Sequence, residues 1–161
     1  MAEGEFALVR QHLEAARLKP HSIRTLSWGD HDFYALLADA AAQQRDRAAL
    51  HAYAPPALAL AEQLGHRFYQ ALALRAWGVL HRFEGDYDAA FTRLNAALDI
   101  FRALGAPWQI GRTLAELGEL ARVRGSESTA RQHLTEALAA FESLGALPDV
   151  ARTRVALRAL G

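Results

Sequence analysis

Along most of the chain the apolar residues recur every three or four positions. Leu94, Ala97, Leu98 and Phe101 fall at i, i+3, i+4 and i+7, the stripe of a helix with one face toward a core. The stripes are broken at regular places by glycine. Leu-Gly recurs at 64–65, 104–105 and 144–145, at intervals of 40 residues. Shifting the chain by 40 residues superposes Leu74 on Leu114, Gly78 on Gly118, Gly85 on Gly125, Ala90 on Ala130, Leu94 on Leu134, Ala97-Leu98 on Ala137-Leu138 and Phe101 on Phe141. Identities of this kind at one offset are an internal repeat.

Each repeat reads as two helices. In the middle unit, helix A is expected over roughly 68–83 and helix B over roughly 87–104, joined by "FEGDYD". Gly85 can take the left-handed conformation that closes a helix. Asp86 then stands at the N-cap of helix B, and the same phase carries Asp46 and Ser126. Gly78, Ala90, Gly118 and Ala130 stand where two helices would cross closely, so a larger side chain there would force them apart. Gly105 ends a helix B, and Pro107 pre-sets the first turn of the helix A that follows.

The positions Leu74, Trp77-Gly78, His81, Ala90, Leu94 and Ala97 resemble the tetratricopeptide repeat pattern W-x2-L-G-x2-Y, A-x3-F, A. The next unit repeats it with Leu114, Leu117-Gly118, Ala121, Ala130, Leu134 and Ala137, and a weaker copy precedes it with Tyr34, Leu37-Ala38, Ala41, Leu50, Ala54 and Ala57. The proline usual near the end of helix B is missing, and the unit runs to 40 residues. This long form is similar to repeats in large bacterial regulatory proteins. The resemblance implies an all-α, right-handed superhelical solenoid of about seven antiparallel helices in a single domain over 1–161: a B-type helix over 4–18, helix pairs over 31–65, 66–105 and 106–145, and a capping helix over 148–160. "VRQHLEAARL" (9–18) resembles "ARQHLTEAL" (130–138), and Ala151, Arg152-Thr153 and Leu157 fall on Gly111, Arg112-Thr113 and Leu117 of helix A. The terminal helices read as caps, which solenoids require; orphan helices of two copies completing one another would instead give head-to-tail homo-oligomers.

Two stretches depart from the repeat. Pro55-Pro56 fall inside the first helix B, where proline removes a hydrogen bond and clashes with the preceding turn, so a kinked or split helix is expected. Residues 22–30 read as a loop with Asp30 as N-cap for a helix beginning near His31.

Composition narrows the function. There are no cysteines, which excludes disulfides and thiolate chemistry. Eighteen basic residues balance eighteen acidic ones, against a dedicated nucleic-acid binder. No basic region followed by an apolar run opens the chain and no apolar stretch is long enough to span a bilayer, so a cytoplasmic protein with no membrane partner is expected. Seven histidines include no pair at i, i+3 or i+4, the adjacent polar residues of "GDHD" (29–32) cannot easily share an ion, and "SEST" (126–129) is explained by capping. Nothing assembles an active site or a phosphate loop, so no enzyme, metal or cofactor is expected. His81, at a packing position normally held by an aromatic, is expected to be buried and hydrogen-bonded.

What remains is surface. By the resemblance, helix A lines the concave groove, which would carry Asp32, Asp39, Gln43, Arg75, Val79, Arg82, Phe83, Arg112, Glu116, Glu119, Arg122 and Arg152. Arg75, Arg82, Arg112, Arg122 and Arg152 gather toward one end, and guanidinium forks suit carboxylates. The function expected is a protein–protein interaction module, an adaptor or scaffold holding a peptide or helix, acidic in character, in the groove. The alternative is a ligand- or partner-sensing module of a bacterial transcriptional regulator, which an enclosed apolar pocket among Trp77, Phe83 and Trp108 would favour.

Overall fold

The computed structural model describes residues 30–161; the expected helix over 4–18, its His12 and the loop over 22–29 lie outside them. The described residues form seven helices and no strand: α1 Asp30–Gln44, α2 Arg47–Gln63, α3 Arg67–Glu84, α4 Tyr87–Ala103, α5 Pro107–Val123, α6 Glu127–Ser143 and α7 Leu147–Arg158. Odd-numbered helices are of A type and even-numbered ones of B type. Each of α3, α5 and α7 packs against the B helix before it, and α1, α3 and α5 each pack against the B helix that follows. The result is an all-α solenoid whose core runs as three successive clusters along the stack.

Local chemistry accounts for the pairing. Gly85 ends α3 at φ +82°, with its N–H on the Arg82 carbonyl and the Asp86 N–H on the His81 carbonyl. Asp46 and Asp86 cap α2 and α4, their carboxylates accepting from the N–H groups of Ala49 and Ala89 at 3.0 and 3.1 Å. Ser126 occupies the same place before α6 but does not cap through its side chain. Its hydroxyl turns to the Thr129 hydroxyl at 2.9 Å instead. Pro107 and Pro148 lie in the first turns of α5 and α7. Asp30, where the described part of α1 begins, is already helical rather than its cap.

The crossings of A and B helices depend on small residues. A Cβ on Gly78 would lie 2.8 Å from Leu94 Cγ and 3.3 Å from the Ala90 carbonyl oxygen, and Gly118 meets Leu134 and Ala130 at the same distances. A Cβ on Gly111 would likewise lie 2.8 Å from the ring of Phe141.

One expectation is narrowed and another corrected. The helix containing Pro55 and Pro56 is not split; α2 runs unbroken across both. The carbonyls that lose a donor belong to His51 and Ala52, which lie on the exposed side of α2, where water can supply the missing hydrogen bond. His81 is half-buried rather than enclosed. It stacks on Trp77 with 5° between the ring planes, and Glu84 and Asp86 stand 3.7 and 3.9 Å from its Nδ1.

Spacing between A helices varies along the stack. Alanine-rich faces bring α1 and α3 together, with Ala35, Ala38, Ala42, Ala71, Ala73 and Ala76 all buried. Between α3 and α5 the faces carry Arg75, Arg82, Arg112 and Glu116, and those two helices barely touch. This difference creates the concave site.

Candidate functional site

The concave face is held by two ionic clusters. In the first, Asp39 of α1 lies between two arginines of later repeats. Its Oδ1 accepts from Arg75 Nη2 at 2.7 Å, and its two oxygens accept from both Nη atoms of Arg112 at 2.9 and 3.2 Å. Arg75 is 1% exposed; its Nη1 also donates to the Gln109 carbonyl and the Thr113 hydroxyl, both at 3.3 Å, and it lies over the Phe101 ring. Burial alone would push Asp39 up, but Arg112 and Arg75 together outweigh it and hold the carboxyl down at about 2. Burial, reinforced by the like charge of Arg112, lowers Arg75 to about 10 against the pull of Asp39. Arg112 is 6% exposed and lies 4.7 Å from the centre of the Trp108 ring.

In the second cluster Arg82 of α3 reaches Glu116 Oε2 at 2.8 Å and Glu119 Oε1 at 3.4 Å, both on α5. Arg122 closes a two-bonded fork on Glu119 at 2.7 and 2.8 Å. The Arg122 hydrogen bond lowers the Glu119 pKa more than burial raises it, and the same bond raises Arg122. Arg82 is itself buried, its guanidinium over Phe83 at 5.2 Å.

Beside these clusters α5 and α7 stand apart and leave a cleft of about 340 Å³. Gln43 and Arg45 at the end of α1 line it, with Arg112, Glu116 and Glu119 of α5 and Asp149 and Arg152 of α7. Leu134 and Phe141 of α6, with Ala115 and Ala156, supply its apolar lining. Arg152 is half-exposed and pairs with Asp149, whose other oxygen accepts from Trp108 Nε1 at 3.1 Å.

The twelve residues expected on the concave surface thus have different fates. Gln43, Arg112, Glu116, Glu119 and Arg152 meet at the cleft, while Arg122 flanks it through Glu119. Arg75 and Arg82 lie beneath the surface as internal ion-pair partners, and Asp39 joins them. Val79 is fully buried, so it contributes core rather than surface. Asp32 lies away from the cleft near Tyr69, whose phenol is pushed up by burial first and by the Asp32 carboxylate second. Trp77, Phe83 and Trp108 do not form a common pocket. Trp77 lies under Arg93 and stacks on His81, Phe83 lies under Arg82 and Trp108 under Arg112, and none of the three lines the cleft. Arg45 was not among the twelve, although the 40-residue offset aligns it with Gly85 and Gly125 and could have drawn attention to it.

Among the described residues no three histidine, aspartate or glutamate side chains are grouped to hold a metal ion, and no helix is long and apolar enough to cross a membrane. The family model of the tetratricopeptide repeat matches residues 69–143. Residues 69–143 are tetratricopeptide repeats. The whole described stack continues their geometry on both sides. It is similar in fold to BtubC (BKLC) from P. vanneervenii, whose crystal structure superposes with a TM-score of 0.72 at 18% identity over 99% of this chain and 66% of that one. This chain therefore spans just under two thirds of the length of that protein. No curated protein matches the chain. Tetratricopeptide stacks generally serve protein–protein interaction and are typically not enzymes.

Proposed function

We propose that the chain is an interaction module, an adaptor or scaffold, that holds an acidic peptide or helical segment of a protein partner in the cleft between α5, α7 and the end of α1. The observation that carries this reading is the charge around that cleft. Arg45, Arg112 and Arg152 line it against Glu116, Glu119 and Asp149, and the neighbouring Arg75, Arg82 and Arg122, with only Asp39 added on the acidic side, bring the whole to six guanidiniums against four carboxylates. The apolar lining suits the aliphatic part of a bound side chain. Arg75, Arg82 and Arg112 act in this reading as the frame and Arg152 as a contact. The separate placement of Trp77, Phe83 and Trp108 gives the ligand-sensing alternative no support.

A fluorescently labelled hexaglutamate peptide, followed by anisotropy, tests the reading. Saturable binding should weaken with added salt and by about tenfold or more in Arg152→Glu, the loss of one charge-assisted contact. Absence of saturable binding, or equal binding by Arg152→Glu, overturns it.

A further inference from the structure

The turn between the A and B helices of each pair uses one geometry three times. In the second and third units the residue at its left-handed position is Gly85 at φ +82° and Gly125 at φ +77°. In the first unit the same place is held by Arg45 at φ +56°, the one non-glycine with positive φ among the described residues. Its backbone bonds are those of the other two turns. The Arg45 N–H reaches the Ala42 carbonyl and the Asp46 N–H reaches that of Ala41, as Gly85 and Asp86 reach Arg82 and His81. A side chain in this conformation carries a steric cost that glycine escapes. Arginine has none of the local hydrogen-bonding reasons that let asparagine or aspartate adopt it.

The Arg45 side chain lies at the mouth of the cleft. It is exposed and, among the described residues, makes no side-chain hydrogen bond or ion pair, although its charge is close enough to help lower the Glu119 pKa. Every other guanidinium around the cleft has a carboxylate partner: Arg75 and Arg112 share Asp39, Arg82 and Arg122 share Glu119, and Arg152 holds Asp149. A strained backbone position therefore carries the one cleft cation that has no carboxylate partner among the described residues.

We infer that Arg45 is the anchoring residue of the cleft, a guanidinium held by a left-handed turn to pair with a carboxylate side chain of an acidic peptide whose aliphatic part rests on the apolar lining. The inference rests on the acidic-peptide reading above. Glu116, Glu119 and Asp149 around the same cleft would repel a densely charged phosphate, which favours the single charge of a carboxylate.

Stability and binding should move in opposite directions in Arg45→Gly. Restoring glycine relieves the backbone and should leave the melting temperature unchanged or higher, while affinity for the labelled hexaglutamate falls by about tenfold or more. Arg45→Lys should recover only part of that affinity, because a point charge replaces a two-pronged donor. Equal affinity of Arg45→Gly and the wild type would overturn the role of Arg45 while leaving the acidic-peptide reading standing. A wild type that fails to bind the peptide overturns both. Inorganic phosphate serves as the second probe, and binding of it as tightly as of the peptide would refute the assignment to a carboxylate.

Discussion

Asp39→Asn should be among the most damaging conservative substitutions in the chain. It removes the one carboxylate between Arg75 and Arg112, leaving two guanidiniums, 1% and 6% exposed, to face each other across a neutral amide. Breaking a buried ion pair by removing one partner costs about 3–5 kcal/mol, against a total stability of roughly 5–15 kcal/mol for a domain. With a urea slope of roughly 2 kcal/mol per molar, the midpoint should fall by about 1.5–2.5 M with little change in slope. Far-ultraviolet circular dichroism through a urea series measures it. The acid limb gives an independent check. Asp39 is held at about 2, below the ordinary 3.8, so its contribution is present above pH about 4 and is lost as pH falls toward 2. That shift corresponds to roughly 2 kcal/mol, which the variant should lack over the same pH window. A midpoint shift under about 0.5 M would refute the view that this cluster ties the first repeat to the third.

Two further expectations concern the frame itself. Gly118→Ala places a methyl 2.8 Å from Leu134 Cγ and should cost roughly 1–3 kcal/mol, with Leu134→Ala in the same chain adding less than its separate cost; additive urea midpoints would count against the crossing. Pro55→Ala should restore an amide donor within the unbroken α2 and raise the melting temperature by a few degrees, equivalent to about 1 kcal/mol or more; a lowered melting temperature would show that the proline ring is worth more as packing.

The repeat was legible because its determinants are local. A glycine that must be left-handed, an aspartate three residues before an amide it caps and a small residue opposite a leucine each leave a mark at fixed spacing. The fate of the concave arginines was not legible in this way. Periodicity places Arg75, Arg82 and Arg112 on the groove side of their helices. Whether Arg75 and Arg112 are surface or interior depends on Asp39, which reaches Arg112 across 73 residues because the alanine faces of α1 and α3 draw together. No local spacing encodes that curvature. The unbroken passage of α2 through two prolines has the same character, since it depends on which side of the helix the orphaned carbonyls fall.

The same register explains how the described stack finishes. The 40-residue offset puts Arg154 on Leu114 and Arg158 on Gly118. At the two internal crossings that glycine position has no room for a Cβ beside a leucine of helix B. A side chain as long as arginine would have to swing aside before a helix B could seat there in the same way. Arg154 is turned back to Glu142 of α6 at 2.7 Å, so the position that is apolar in earlier repeats is used to fasten α7 to its predecessor. Leu147 and Val155 remain exposed on α7, but without the glycine they cannot form the close crossing that joins A to B elsewhere. The arginines of α7 therefore make this face a poorer seat for a helix B than the glycine faces of α3 and α5. In the proposed reading, the cleft between α5 and α7 is then the part of α7 that meets a partner.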